Sequence, residues 1–243
     1  LVGSEMCIRD RASTDNDRGC SFPQRAAVWM GADVFVQRMG FTVQEKSAQC
    51  VRVQYRFGVP GVPGAQVEMI YTVEAQGALR LDAVYHGVPG APELPCFGIK
   101  FETAAPVVRT RWTGLSGETY PDRCKGGVFG CHEEPPHIEP ALVPQDCGLH
   151  MDTQQVNLQL ADGKTLTLES TGEAFAFSAL PNTAQQIEAA QHPCELPETG
   201  RTCVTVLGAA RGVGGIDSWG TDVEAPYHVN GEQQHSVSLR ILL

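Results

Sequence analysis

Apolar and polar residues alternate along most of this chain. Val51, Val53, Tyr55 and Phe57 are interleaved with Arg52, Gln54 and Arg56, and Val67, Met69, Tyr71 and Val73 repeat the pattern. Leu79, Leu81, Ala83 and Tyr85 continue it beyond Ala75-Gln76-Gly77. A period of two sends alternate side chains to one face, so each run predicts a half-buried strand, and a turn between matched arms predicts a hairpin. Val156, Leu158 and Leu160 precede Ala161-Asp162-Gly163-Lys164, with Leu166 and Leu168 after it. Asp-Gly between alternating arms is the strongest short-range hairpin signal. Val237, Leu239 and Ile241 close the chain in the same manner.

Two stretches predict helix: roughly Gln24 to Met39, and Thr183 to Gln191 with Thr183 as the cap. The Gly58-Val59-Pro60-Gly61-Val62-Pro63-Gly64 stretch has strands of one kind on both sides, so it predicts a long hairpin loop rather than a linker. Repeats and an internal domain boundary are absent from the pattern. Many strands with turn signals between them predict an all-β fold, a large antiparallel sandwich.

Composition narrows the function classes. The chain has 243 residues, 42% hydrophobic and 19% charged, with a formal net charge of −10. An acidic surface repels phosphate backbones, which argues against nucleic acid. Every apolar run falls short of the ~20 residues a membrane-spanning helix needs. Nine cysteines are scattered along the chain, and the redox compartment stays open. Cys124-x6-Cys131-His132-x4-His137 has looser spacing than zinc knuckles use, and reads as scattered structural residues.

Residues 1–11 break the pattern. Leu1-Val2-Gly3-Ser4-Glu5-Met6-Cys7-Ile8-Arg9-Asp10-Arg11 lacks strand or helix periodicity and the anatomy of a signal peptide. Its Glu5 to Arg11 part resembles a translation of a sequencing-library adapter. A non-native or disordered leader is the expectation for 1–11, with a single β-domain over 12–243.

Self-contained catalysis is hard to find. Glycoside cleavage needs two carboxyl groups about 5–5.5 Å apart for retention or 6.5–9.5 Å for inversion, and the spacing of the acids pairs none of them. Glu133-Glu134, ahead of Pro135-Pro136, predicts a solvated loop. The seven histidines are dispersed. Arg211-Gly212-Val213-Gly214-Gly215 lacks the Lys-Ser/Thr of a phosphate loop, and Asp217 would repel phosphate. It leads instead into Asp217-Ser218-Trp219-Gly220, where Trp219 stands among small and polar residues. An indole offers an apolar face and an N–H donor, which suits the ring of a sugar; packing in the core is the plainer reading.

Four segments, in order, resemble the last domain of the glycoside hydrolase family 2 β-galactosidases. Ala12-Ser13-Thr14-Asp15-Asn16-Asp17-Arg18-Gly19 resembles "APTDNDRG", and Pro92-Glu93-Leu94-Pro95-Cys96-Phe97-Gly98-Ile99 is similar to a strand reading "LPRIG". Trp112 to Arg123 resembles "WxGLGPxExYPDR", one residue short, and Gly212 to Trp219 resembles "GxGGDDSW". The resemblance implies a β-supersandwich of the galactose-mutarotase-like type within a retaining enzyme that hydrolyses terminal β-D-galactosides such as lactose. It places the catalytic glutamates on an upstream (β/α)8 barrel domain or a large subunit, and the magnesium and sodium ligands on other domains. It implies a homo-oligomeric complete enzyme, and leaves this segment one substrate-binding residue, Trp219, and no catalytic or metal-binding one.

The chain departs from the family at Pro144 to Gln155, where "PQENGxRxDVRW" loses its basic and Trp positions. The plainer reading of Tyr120-Pro121-Asp122-Arg123 is a turn held by its own Asp–Arg and backbone hydrogen bonds, and that of Asp15-Asn16-Asp17 an Asx turn. The competing function is a stand-alone sugar-binding or aldose-epimerase-like supersandwich.

Overall fold

The computed structural model describes residues 2–8, 11–32 and 34–242. It is an antiparallel two-sheet sandwich. Its strands, in chain order, are β1 (Val2–Cys7), β2 (Gln37–Lys46), β3 (Cys50–Gly58), β4 (Gln66–Glu74), β5 (Leu79–Tyr85), β6 (Cys96–Glu102), β7 (Val107–Leu115), β8 (Phe129–Glu134), β9 (His150–Thr153), β10 (Gln155–Leu160), β11 (Thr165–Ser170), β12 (Phe175–Leu180), β13 (Cys203–Ala210) and β14 (His235–Leu242). One sheet has nine strands in the order β2-β3-β4-β5-β14-β11-β10-β7-β8, the other five in the order β1-β6-β13-β12-β9. The main core lies between them, built on Val67, Leu81, Tyr85, Ile99, Leu158, Val206 and Leu239 with many others.

Each alternating run became a strand, and in β4, β5, β10, β11 and β14 a face of period two is buried against the second sheet. The two short hairpins are closed as their sequences require: Gly77 and Gly163 both adopt φ near +87°, in the left-handed region that only glycine enters freely. The Pro/Gly loop joins β3 to β4 as a hairpin, with Val59, Val62 and Ala65 buried against the core. Helix α3 (Ala184–Ala189) begins at Thr183, which forms a reciprocal capping box with Gln186.

Three regions differ from expectation. Gln24 to Met39 is not one helix: it holds the end of the one-turn helix α2 (Phe22–Arg25), a 3-10 turn (Ala27–Trp29) and the start of β2. Trp29 decides the outcome, since its ring is fully buried against Tyr85 and its Nε1 donates to the Glu93 carbonyl, geometry that a continuous helix would pull apart. Glu133 and Glu134 are not in a loop but end β8, where they pair with Arg111 and Thr110. Residues 2–7 of the expected leader run antiparallel to β6, whose outer edge offers unpaired backbone groups, and Ile8 and Arg11 are buried. Arg11 therefore belongs with the domain.

Candidate functional site: the β13–β14 loop

The loop that leaves β13 at Arg211 and rejoins the large sheet at β14 carries the glycine run and Trp219. All four segments singled out in the sequence converge on it. Its root is a knot of buried charge. Arg211, 1% exposed, donates from Nη1 to Asp17 Oδ1 at 2.9 Å and from Nε to Glu93 Oε1 at 2.6 Å, and also pairs with Asp222. Its guanidinium lies 3.9 Å from the Phe22 ring centroid. Asp17 accepts from a second cation, Arg11 Nη2, at 2.6 Å. A buried carboxylate between two arginines is stable because each charge finds a counter-charge and directed hydrogen bonds; either partner alone would be costly. Asp222 binds Arg25 as well, and the His228 ring spans Glu93 Oε1 and the Val223 carbonyl.

The sequence around Asp17 explains its position. Thr14 caps the short helix α1 (Asp15–Gly19), and Asp17 sits at the third helical position, where its carboxylate accepts from the Thr14 backbone N–H. That capping box points Asp17 inward toward both arginines. Asn16, one residue earlier, donates from Nδ2 to the Val213 carbonyl at 3.0 Å. The Asp15-Asn16-Asp17 segment is thus a helical first turn that grips the glycine loop, rather than an isolated Asx turn.

The tyrosine–aspartate segment grips the same loop from the other side. Asp122 accepts from the Val213 N–H at 3.0 Å and the Gly214 N–H at 2.6 Å, and Arg123 Nε donates to the Gly214 carbonyl at 3.0 Å. Asp122 and Arg123 hold their neighbour, therefore, rather than each other. Gly214 has φ +69°, and a Cβ there would collide with the Asn16 amide. Those contacts explain why the run is glycine-rich: the backbone itself is the ligand of the surrounding side chains.

Beyond this root the loop turns outward. Asp217 Oδ1 accepts from the Trp219 N–H at 2.9 Å, and Asp217 Oδ2 accepts from the Thr221 hydroxyl at 2.5 Å. The Thr221 hydroxyl and the Trp219 N–H hold the Asp217 carboxyl below its ordinary range. Trp219 itself is 91% exposed, which removes the core-packing reading. Gly220 lies against Gly19, backbone to backbone, so a Cβ on Gly220 would approach Gly19 C to 2.8 Å.

A cleft of about 280 Å³ opens beside the loop, lined among others by Asn16, Glu118, Tyr120, Arg123 and Asp146. Sequence reasoning missed Glu118 and Asp146 as a pair of acids in one hollow; no spacing rule joins residues 28 apart across two loops. Burial pushes the Asp146 carboxyl up to about 6, against the opposing pull of Arg11, and raises Glu118 as well. Both acids are already engaged. Asp146 accepts from the Tyr120 hydroxyl at 2.9 Å and lies 3.4 Å from Arg11 Nε, while Glu118 accepts from the Gly148 N–H at 2.6 Å. The family departure at Pro144 to Gln155 thus falls on one wall of this cleft. The histidines stay structural where their contacts are seen: His150 is buried between Trp112 and Phe177, with ring centroids 4.2 and 5.0 Å away. Among the described residues, no group of three or more His, Cys, Asp or Glu side chains could hold a metal ion.

The family described as beta galactosidase small chain matches residues 5–241. The chain belongs to that family. A β-galactosidase small subunit from Latilactobacillus sakei is 40% identical over 261 residues, covering 95% of this chain and 82% of that protein. A β-galactosidase from Streptococcus thermophilus is 32% identical over 95% of this chain, but the match spans only 23% of that longer protein. Among solved structures, a galactose mutarotase-like protein from Lactobacillus casei aligns with 83% of this chain and 72% of its own, at a TM-score of 0.40 and 10% identity. The small-chain family thus reaches into the stretch expected to be a leader, and includes every residue of the knot.

Proposed function

We propose that this chain completes the sugar site of a β-galactosidase whose catalytic carboxylates stand on a large chain or an upstream barrel domain. In that reading the complete enzyme cleaves terminal β-D-galactosides with retention, and this segment alone does not turn over substrate. The observation that carries the reading is a fully presented indole on a loop whose root is rigid. Trp219 has no packing role to explain its exposure, while seven side chains (Arg11, Asn16, Asp17, Glu93, Asp122, Arg123 and Asp222) bond or pair with Arg211 to Gly214 and hold its base in place. A ring face held this way can pack on the C–H face of a pyranose and shield the reacting bond from water. The resemblance ties magnesium and sodium to other domains, and in this reading the segment contributes shape and hydrogen bonding.

The stand-alone epimerase-like reading needs a free acid and base. The two acids of the cleft are instead committed to Tyr120, Arg11 and the Gly148 N–H, which favours the first reading. Trp219→Ala in the complete enzyme tests it: kcat/KM for a β-galactoside is expected to fall on the order of tenfold, as for loss of an aromatic contact. Unchanged kinetics would remove Trp219 from the site. Steady turnover by the purified 243-residue chain, abolished by Glu118→Gln or Asp146→Asn, would overturn the assignment of chemistry to another chain.

A further inference from the structure

The two sheets differ in width, and the wider one overhangs. Val67 and Met69 of β4 face the core. Register carries that same face outward: Val67 pairs with Phe57 and Met69 with Tyr55 on β3, and Tyr55 pairs in turn with Phe41 and Val53 with Val43 on β2. Phe57 and Tyr71 still touch the core cluster. Further out, Phe41 is 59% exposed and Val43 52%, with Val51 and Val73 also exposed. The rings there are ordered: Phe41 stacks on Tyr55 at 5.9 Å, and Tyr71 meets Tyr55 edge-on at 5.8 Å. The polar side chains of β3, Arg52, Gln54 and Arg56, occupy the opposite face by alternation. An inner, core-type face is thus left open to solvent over the outermost strands. Apolar patches of this kind mark contact surfaces.

Three features of the chain select the occupant. Strand β2 carries bulges between Arg38 and Gly40 and between Val43 and Glu45, and bears Arg38, Glu45 and Lys46. Bulges and charges on an edge strand block strand addition, so the open face rather than the open edge is the contact. Each copy of the chain has a net charge of −10, which opposes stacking one copy on another. In the S. thermophilus relative the matching segment is 23% of the protein, so most of that polypeptide lies elsewhere and is tethered to this domain. We infer that the inner face of β2 and β3, centred on Phe41, Val43 and Tyr55, docks on an apolar surface of the large chain or upstream domain. This inference rests on the proposed function, and goes beyond it by naming a second contact apart from the Trp219 loop.

Hydroxyl-radical footprinting of the 243-residue chain and of the complete enzyme from the source organism tests it. Met39, Phe41 and Tyr55 are expected to oxidise several-fold more slowly in the complete enzyme, with the exposed Leu142 unchanged as the internal reference. A Phe41→Lys chain should keep its melting temperature yet lose affinity for the rest of the enzyme by about tenfold or more, as for an aromatic anchor. Equal oxidation of Phe41 in both states overturns the inference. So does a Phe41 already protected in the isolated chain together with a dimer in sedimentation, which would make a second copy the occupant. Protection of Trp219 without Phe41 would leave the proposed function standing and remove this face from it. Protection of neither residue would remove both.

Discussion

Arg211 and Trp219 stand on one loop and meet opposite surroundings. The first is buried among Asp17, Glu93 and Asp222; the second projects into solvent with only its backbone N–H engaged. The root of the loop is specified by electrostatics that would be costly to disturb, the tip by the local Asp217 hydrogen bonds and the Gly19–Gly220 contact, which leave the indole itself unheld. A segment held so firmly at its base, with its largest side chain exposed, suits the proposed role of presenting that side chain to a sugar. The contrast also separates two kinds of substitution: changes at the root should appear in stability, changes at the tip in function.

The largest effect is expected at the root. Arg211→Ala leaves three carboxylates short of a shared cation, and should lower folding stability by about 3–5 kcal/mol in denaturant titration. A loss below about 1 kcal/mol, the size of an ordinary surface change, would mean that the knot is not what holds the loop.

Asp146, on the cleft wall, offers a pH-dependent comparison. Burial raises its pKa from 3.8 to about 6, so the folded chain binds this proton more tightly than the unfolded chain does. Its favourable contribution is full below the unfolded value, and is lost as pH rises through the folded one. Asp146→Asn has no proton to lose. The stability of this variant relative to wild type should therefore increase from pH 4 to pH 7, by on the order of 2–3 kcal/mol. A flat difference across that range would mean that the Arg11 charge offsets burial completely.

Asp122→Ala removes the acceptor of two loop N–H groups, and is expected to lower stability by about 1–3 kcal/mol, read from the shift in urea midpoint. If the midpoint does not move, water replaces the carboxylate, and the loop backbone is less constrained than its geometry indicates. Trp219→Ala should be the smallest of these changes, within about 0.5 kcal/mol of wild type in the same titration. A large drop in stability at this position would erase the distinction between root and tip.

The strands that were legible in the sequence are those with one wet face. β4, β5, β10, β11 and β14 alternate because one side meets the core and the other solvent, and β3 keeps the same alternation although its inner face is only partly covered. The central strands of the small sheet were silent to that test: Cys96 to Phe101 and Cys203 to Leu207 are buried at every position, so no period appears. Trp219 was legible as a loop residue from its polar neighbours, and its matching segment marked it as the residue to follow. Arg211 was not, because its meaning lies in Asp17, 194 residues away. Helix-forming residues between Gln24 and Met39 suggested a helix that one tertiary contact, the burial of Trp29, overrides. The acids of the cleft were invisible for the same reason as Arg211: only the folded chain brings their loops to one wall.

The separation of Asp17 from Arg211 has a consequence for how the molecule is made. Translation delivers Arg11 and Asp17 within six residues of each other, so that pair can form at once. The second cation arrives 194 residues later, when all of the small sheet and all but the last strand of the large one have already been synthesised. Until then Asp17 faces a gap where Arg211 will sit, and Gly19 has no Gly220 to rest against. The loop that presents Trp219 is therefore assembled only after most of the sandwich has been synthesised, and a nascent chain arrested before Arg211 would have most of its sandwich and none of this apparatus.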